Sequence, residues 1–454
     1  MEFVSINPAT GREIGRRPCL DAVAIEAALA RAAHAQRAWR AVGFAERGRV
    51  LGAVARLLEA DERRLAAIMS REVGKPFAEA LAEVNKCAWV CRFYAEQGER
   101  MLADEPHESD GQRAWVRYEP RGLVLGVMPW NFPFWQVFRI GAPALMAGNA
   151  LLIKHAPSAG QCAEAIATLW RRAGLPRGCY EDLVVDVPDV PRVIADPRVA
   201  MVTVTGSAGA GRAVASLAGA NLKPCLLELG GSDPAIVLPS ADLSAAVAGI
   251  VRSRMANSGQ SCIAAKRVIV HAAIADDLEA RFVDAVRALR VGDPMDEGVD
   301  VGPLATAAIR DGLADQVQRT VAAGARALLG GEPIRGPGFF FQPTVLAGIP
   351  AGSPAATEEL FGPVASLFRV PDLDAAIALA NDSPYGLGAS VWTRDDGESE
   401  RAIAEVVAGC VFVNGVVKSD PRLPFGGVRA SGYGRELGRH GIRELCATKT
   451  VWVG

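Results

Sequence analysis

The run Asn257-Ser258-Gly259-Gln260-Ser261-Cys262 sets a cysteine among small and polar residues rather than on an apolar periodic face. An unpaired cysteine is most often a small core residue, and that is the default for Cys262 taken alone. The same surroundings also suit a nucleophile. Small neighbours leave room for a substrate carbonyl, and backbone N–H groups can face a developing oxyanion. The five histidines (His34, His107, His155, His271 and His440) form no local Cys–His signature, so a protease-like pair is weakly supported.

Four further segments carry groups of chemical interest. In Leu227-Glu228-Leu229-Gly230-Gly231 a carboxylate ends an apolar run. It is either a turn cap or a general base whose pKa burial would raise into a useful range. In Met128-Pro129-Trp130-Asn131-Phe132-Pro133 an amide stands between aromatics and prolines, where it can hold a turn or donate to an oxyanion. Lys154 closes the apolar run Leu151-Leu152-Ile153. Strand ends in parallel sheets are where ligands bind, although a surface lysine is the commoner case. The run Thr205-Gly206-Ser207-Ala208-Gly209-Ala210-Gly211 has the order GxxGxG, not the dinucleotide fingerprint GxGxxG. It can open a helix whose N-terminus holds phosphate, or be a plain turn.

These groups need a frame, and the chain supplies one. At 454 residues it is too long for one core, so two or three domains are expected. The first hundred residues read helical, with Leu51, Val54, Leu57 and Leu58 on one face and Gly74-Lys75-Pro76 ending the run. Apolar runs at 122–128, 150–153, 183–187, 199–204 and 225–229 then read as buried strands. Helical stretches at 159–172 and 212–219 lie between some of them. That alternation predicts a parallel sheet with crossover helices. It restarts near residue 230, with strands at 235–238, 267–270, 364–370 and 411–413 and helices at 243–254, 274–289 and 373–380. The terminal TKTVWV run is β-prone without a local partner, so it completes a sheet elsewhere, in this chain or in another subunit.

Composition excludes several classes. A net charge of −2 gives no electrostatic footprint for nucleic acid or an anionic membrane. The start has no basic region followed by an apolar core, so no secretory signal is expected. The longest uncharged stretch, between Arg139 and Lys154, is too short and too broken by Gly, Pro and Asn to span a bilayer. Nine scattered cysteines, an odd number, fit a reduced cytoplasmic setting. Cys87 and Cys91 are a helical turn apart with no His or Cys to complete a set, so no metal is expected.

Taken together the segments resemble the aldehyde dehydrogenase superfamily over nearly the whole chain. PWNFP, LLIK, TGS, LELGG, GQSC, EELFGPV (Glu358–Val364) and PFGG (Pro424–Gly427) occur in that family's order, with Glu228 and Cys262 at a similar spacing. Among its members the chain is most similar to the shorter bacterial succinate-semialdehyde dehydrogenases, through Phe134–Arg139, Lys154–Pro157 and Lys418–Gly427. The resemblance implies an α/β fold: a Rossmann-like dinucleotide-binding domain (1–108 and 126–229), an α/β catalytic domain (230–419), and a small β oligomerisation element (109–125 and 432–454). Residues 420–431 return to the first domain. A homodimer or homotetramer is implied.

The resemblance also implies roles. Cys262 attacks the aldehyde, and Asn131 with the Cys262 N–H holds the oxyanion. Hydride passes to a nicotinamide, and Glu228 activates water to hydrolyse the thioester. Trp130, Lys154, Pro157, Ser158, Gly206, Ser207, Gly211, Leu229, Glu359 and Phe361 match the cofactor's surroundings. Pro157 stands where many NAD-preferring relatives carry a Glu, and Ser158 can donate to a 2′-phosphate, so NADP is expected to be accepted, even preferred, with NAD not excluded. Arg139 and Ser419 match groups that bind a substrate carboxylate, Arg139 having a structural ion pair as its alternative. Longer relatives add a second Arg where this chain has Ala256, which loosens the expectation of chain length. Ser261 and Ala264 leave no thiol near Cys262 for a disulfide within the loop. The alternatives are oxidation of glutarate semialdehyde or another small aldehyde and, from another class, a cofactor-free thiol esterase. A CoA-acylating relative would lack Glu228.

Overall fold

The computed structural model describes residues 2–454. Its centre is two parallel sheets facing each other end to end. The first has six strands in the order Gly432–Tyr433, Cys225–Glu228, Val199–Thr205, Leu123–Val127, Ala150–Lys154 and Tyr180–Asp182. All neighbours are parallel except the short edge strand Gly432–Tyr433. Val124, Leu125, Leu151, Leu152 and Ile153 are buried, with helices on both faces, and so these strands read as continuous apolar runs.

The second sheet has seven strands. Their order is Arg326–Leu329, Thr344–Ala347, Val364–Val370, Ala265–His271, Asp233–Val237, Gly388–Trp392 and Cys410–Val413, parallel but for the first. The two sheets present opposite ends to the cleft between them. Lys154 and Glu228 are the last residues of first-sheet strands, and Asn131 and Ser207 lie in the loops that follow two others. Cys262 and Phe361 lie just ahead of second-sheet strands. Carboxyl ends of one sheet therefore meet amino ends of the other, the place where open α/β folds hold ligands.

A third sheet has three antiparallel strands, in the order Cys446–Val453, Arg113–Pro120 and Glu105–His107. The terminal β-prone run pairs within its own chain, from Cys446 opposite Pro120 to Val453 opposite Arg113.

Several expectations need correction. The early residues are not all helical: Glu2–Asn7 and Arg12–Pro18 form a hairpin ahead of the helices Ala22–Arg40, Phe44–Ala60, Glu62–Val73 and Phe77–Met101. The strand expected at 183–187 is instead Tyr180–Asp182. Leu183 and Val185 are buried as core, but sheet pairing ends with Asp182. A division at 125/126 would cut the strand Leu123–Val127, whose ladder neighbours lie on both sides within the first sheet. Gly432–Tyr433 also pairs into that sheet, and so the small β element is narrower than 109–125 with 432–454.

One buried ion pair fixes the segment beside Asn131. Lys75 and Glu83 are sealed from solvent and paired with each other. The other Glu83 oxygen accepts from Phe134 N at 3.0 Å and Trp135 N at 2.9 Å, capping the helix Trp135–Ala147. The Lys75 ammonium lies 3.6 Å from the Phe132 ring centroid. Replacing Lys75 by Met leaves Glu83 charged and unpaired in the interior. The expected cost is about 3–5 kcal/mol, read as a lowered midpoint in urea unfolding at constant slope. A loss below about 1 kcal/mol would show that the pair is not holding this segment.

Candidate active site

The loop bearing Cys262 is wound against its own preferences. Asn257 (φ 52°), Ser258 (φ 55°) and Gly259 (φ 74°) are successive left-handed residues. Two of the three are not glycine, a conformation that persists only when neighbours hold it. Asn257 N donates to Glu79 Oε2 at 2.6 Å, and the Ser258 hydroxyl bridges Gly302 N and O at 2.9 and 3.0 Å. Gln260 Oε1 accepts from Ala305 N at 2.9 Å. At Gly259 a Cβ would run into Gly362 O.

Arg254 completes the fixing. Fully buried, it donates through Nε to Val364 O (2.6 Å), through Nη1 to Gly259 O (3.2 Å) and through Nη2 to Leu360 O (2.9 Å) and Gly362 O. One guanidinium thus ties the Cys262 loop to the segment carrying Glu359 and Phe361. Arg254 and Glu79 carry no signal in the sequence, where nothing distinguishes them from ordinary helix residues, whereas Gln260 stands in the GQSC motif.

Asn131 is tethered to the same loop. Its Nδ2 donates to Gln260 O at 2.9 Å, its Oδ1 accepts from Gln136 Nε2 at 3.0 Å, and its backbone O accepts from Asn257 Nδ2 at 2.7 Å. An amide nitrogen has two hydrogens, so with one on Gln260 the second remains for the cavity that Asn131 lines.

Cys262 lies where two cavities meet. One, of about 290 Å³, is lined by Trp130, Asn131, Thr205, Gly206, Ser207, Glu228, Leu229, Glu359 and Phe361 as well as Cys262. The other, of about 260 Å³, is lined by Lys86, Phe132, Trp135, Arg139, Ala256, Ile263, Ser419 and Phe425 on the far side of the same cysteine. Burial pushes the Cys262 thiol up to about 12, opposed by the positive charges of Lys266 and Arg139. Glu228, 2 % exposed and with Oε1 lacking a partner, is driven well above the usual carboxylate range by burial, against the pull of Arg139. Arg139 pairs with Glu436 and donates to Thr205 Oγ1 at 3.2 Å, so its structural ion pair is present while it also lines the second cavity.

The first cavity is lined by groups of the kinds that hold part of a dinucleotide: a helix N-terminus, a carboxylate and two aromatic rings. Ser207 caps the helix Ala208–Ala220, accepting from Ala210 N at 3.2 Å, and exposes that N-terminus beside Gly206. Gly211 is not in the phosphate-facing loop: it is buried inside that helix, behind Leu229. Glu359 is positioned by Lys266 (3.1 Å) and Gly231 N (3.2 Å), and at Gly230 a Cβ would strike its carboxylate. Trp130 and Phe361 meet edge to face at 5.9 Å. Lys154 stands outside both cavities, its Nζ on His155 O at 3.3 Å and 5.5 Å from the Phe3 ring centroid. Pro157, exposed, and Ser158, half-buried, follow it in a 3₁₀ turn that ends on the buried Ala159. Sequence reasoning also missed Lys86, which donates to Ser419 Oγ at 2.8 Å. Nothing around it in the sequence separates it from a solvated helix lysine.

A thiol held this high reacts only through its thiolate fraction, which grows tenfold with each pH unit below the pKa. Inactivation of the cofactor-free enzyme by iodoacetamide is therefore expected to accelerate roughly tenfold per unit from about pH 7 to pH 9. A plateau below about pH 8 would mean a thiol already ionised by its surroundings.

The sequence matches the aldehyde dehydrogenase family over residues 1–451. It is 50% identical over 456 residues to an NADP(+) succinate-semialdehyde dehydrogenase of Mycobacterium tuberculosis (strain ATCC 25618 / H37Rv), covering 100% of both chains. Identity is likewise 50% over 459 residues to that of Mycobacterium avium (strain 104), covering 100% of this chain and 97% of the other. The fold superposes on the crystal structure of succinic semialdehyde dehydrogenase from Streptococcus pyogenes in complex with NADP+. The TM-score is 0.97, the identity 34%, and 99% of each chain is covered. With the family's matching sequence running almost end to end, and Cys262, Asn131 and Glu228 gathered around one cavity, this chain belongs to the aldehyde dehydrogenase family.

Proposed function

We propose that the protein oxidises succinate semialdehyde to succinate with NADP as the preferred acceptor. The observation that carries this is the position of Cys262 between a cavity with dinucleotide-binding features and one with basic and hydroxyl groups. The full-length relatives named for this activity with NADP(+) support it.

The residues divide the work by position. Cys262, as thiolate, adds to the aldehyde carbon, and the free Asn131 N–H and the Cys262 N–H receive the oxyanion. When bound, the nicotinamide supplies the hydride acceptor. Trp130, Gly206, Ser207, Leu229, Glu359 and Phe361 would hold the part of the dinucleotide inside the first cavity, Glu359 accepting from a ribose, and Lys154 would donate to the ribose of the part that extends beyond it. Pro157 places no carboxylate against a 2′-phosphate and Ser158 offers it a hydroxyl. Glu228 then takes a proton from water so that its oxygen can attack the thioester. A carboxylate whose pKa is raised by burial is the stronger base for that step. Arg139 and Ser419 face the far end of the substrate.

We also place the protein in the cytoplasm as a homodimer or homotetramer acting on a small aldehyde, without nucleic acid or membrane partners. No helix among the described residues is long and apolar enough to cross a membrane. The strand Cys446–Val453 lies at a sheet edge and exposes Trp452, the kind of edge that a second copy can cover.

Two measurements test this reading. Across succinate semialdehyde, glutarate semialdehyde and uncharged aldehydes, each with NADP and NAD, kcat/KM should be highest for succinate semialdehyde with NADP. Equal use of both cofactors, or a preference for NAD, overturns the cofactor assignment. Glu228→Gln is expected to give a stoichiometric burst of reduced cofactor followed by turnover slowed about 100-fold or more, the usual worth of a general base. Loss of the burst would place Glu228 at thiol activation instead.

A further inference from the structure

The second cavity holds two cations whose situations differ. Arg139 shares its charge with Glu436 and gives one of its N–H groups to Thr205. Lys86, on the helix Phe77–Met101, has no such partner. The two acids that act on it electrostatically are both engaged, Glu83 by Lys75 and Asp420 by Arg422 at 2.6 Å. Glu79, also on the cavity wall, accepts from Asn257 N. The Lys86 ammonium lies 4.2 Å from the buried Trp135 ring centroid and donates to Ser419 Oγ at 2.8 Å. Burial and the nearby Arg139 charge lower its pKa to about 8, the mark of a cation held without a counter-ion.

The direction of the Ser419 bond matters. An ammonium can only donate, so the Ser419 oxygen accepts from Lys86 and its own hydrogen is left for something else. A hydroxyl hydrogen and two further ammonium hydrogens then lie side by side, a donor set complementary to one carboxylate. Ala256, Phe132, Phe425 and Ile263 are apolar wall, and the polar groups Glu79, Glu83 and Gln136 beside them are bonded to Asn257 N, to Phe134 N and Trp135 N, and to Asn131 Oδ1.

We propose that Lys86 receives the remote carboxylate of the substrate, with the Ser419 hydroxyl as co-donor and Trp135 packed against the ammonium. Arg139 adds only the part of its charge that Glu436 leaves unmatched. The proposal rests on the reading that the substrate is a short aldehyde bearing a carboxylate, and it names the residue that selects it.

The test uses the enzyme with NADP and compares succinate semialdehyde with butanal, the uncharged aldehyde of equal carbon number. The ratio of their kcat/KM values in the wild type tests the substrate reading. The change in that ratio on Lys86→Met tests Lys86. It is expected to fall about 10- to 100-fold, chiefly through KM for the semialdehyde, as for loss of a charge-assisted hydrogen bond. Lys86→Arg should restore most of it. Lys86→Gln, which keeps a donor toward Ser419 without the charge, gives the same reading should the methionine variant not fold. Competitive inhibition of butanal oxidation by succinate reports the anion site independently, and should weaken in parallel. A ratio within about twofold of wild type, or parallel losses on both substrates, overturns the assignment. If the wild type shows no preference for the carboxylated aldehyde, the substrate reading fails. Succinate inhibition then decides Lys86 alone: weakened inhibition in Lys86→Met keeps the anion site, and unchanged inhibition removes it.

Discussion

Arg254 carries its charge into the interior and gives its donors to carbonyl oxygens alone. Those carbonyls belong to Gly259, Leu360, Gly362 and Val364, two segments far apart in the chain. Burial lowers its pKa to about 9, so it keeps its proton at neutral pH and the bonds remain charge-assisted. The loop that presents Cys262 is left-handed over consecutive residues, and Arg254 is the largest single group holding it there. The same side chain sets Glu359 and Phe361 beside it. A planar fork suits that task in a way a lysine would not, because several acceptors lie around one plane.

Burial also governs the reacting groups. Cys262 and Glu228 are both pushed toward their neutral forms, and Arg139 opposes the shift at each. The cost of burying Arg139 is met by Glu436, itself raised by burial. Arg139 thus lines the second cavity and adds positive potential at both Cys262 and Glu228. Of the two readings the sequence offers for it, the structural ion pair is present, with Glu436.

Position along the strands explains why the cavities differ in character. Strand carboxyl ends and a helix N-terminus supply the first cavity, which Gly206, Ser207 and Gly230 help to line. The second cavity is bounded by two helices, Phe77–Met101 and Trp135–Ala147, which contribute Lys86, Trp135 and Arg139. Helices can bring long side chains together from turns of different elements, and a cation can there lie without its partner acid.

Strands buried on both faces must be apolar throughout, so the parallel cores at 122–128, 150–153 and 199–204 were legible, as was the restart near residue 230. The edge hairpin Glu2–Asn7 with Arg12–Pro18 was not, because its alternation is weak and its polar face is exposed. Cys262, Glu228 and Asn131 stood out because each is costly in its local pattern: a cysteine off any apolar face, a carboxylate ending a strand, an amide between prolines. Arg254, Glu79 and Lys86 did not, because a charged residue in a helix is ordinary until its surroundings are known. The sequence by itself determined which groups can react and the order of the strands that bring them close. Tertiary structure alone decided which cations are matched by an acid, because that depends on which side chains share one low-dielectric space, whether near in the chain as Lys75 and Glu83 or distant as Arg139 and Glu436.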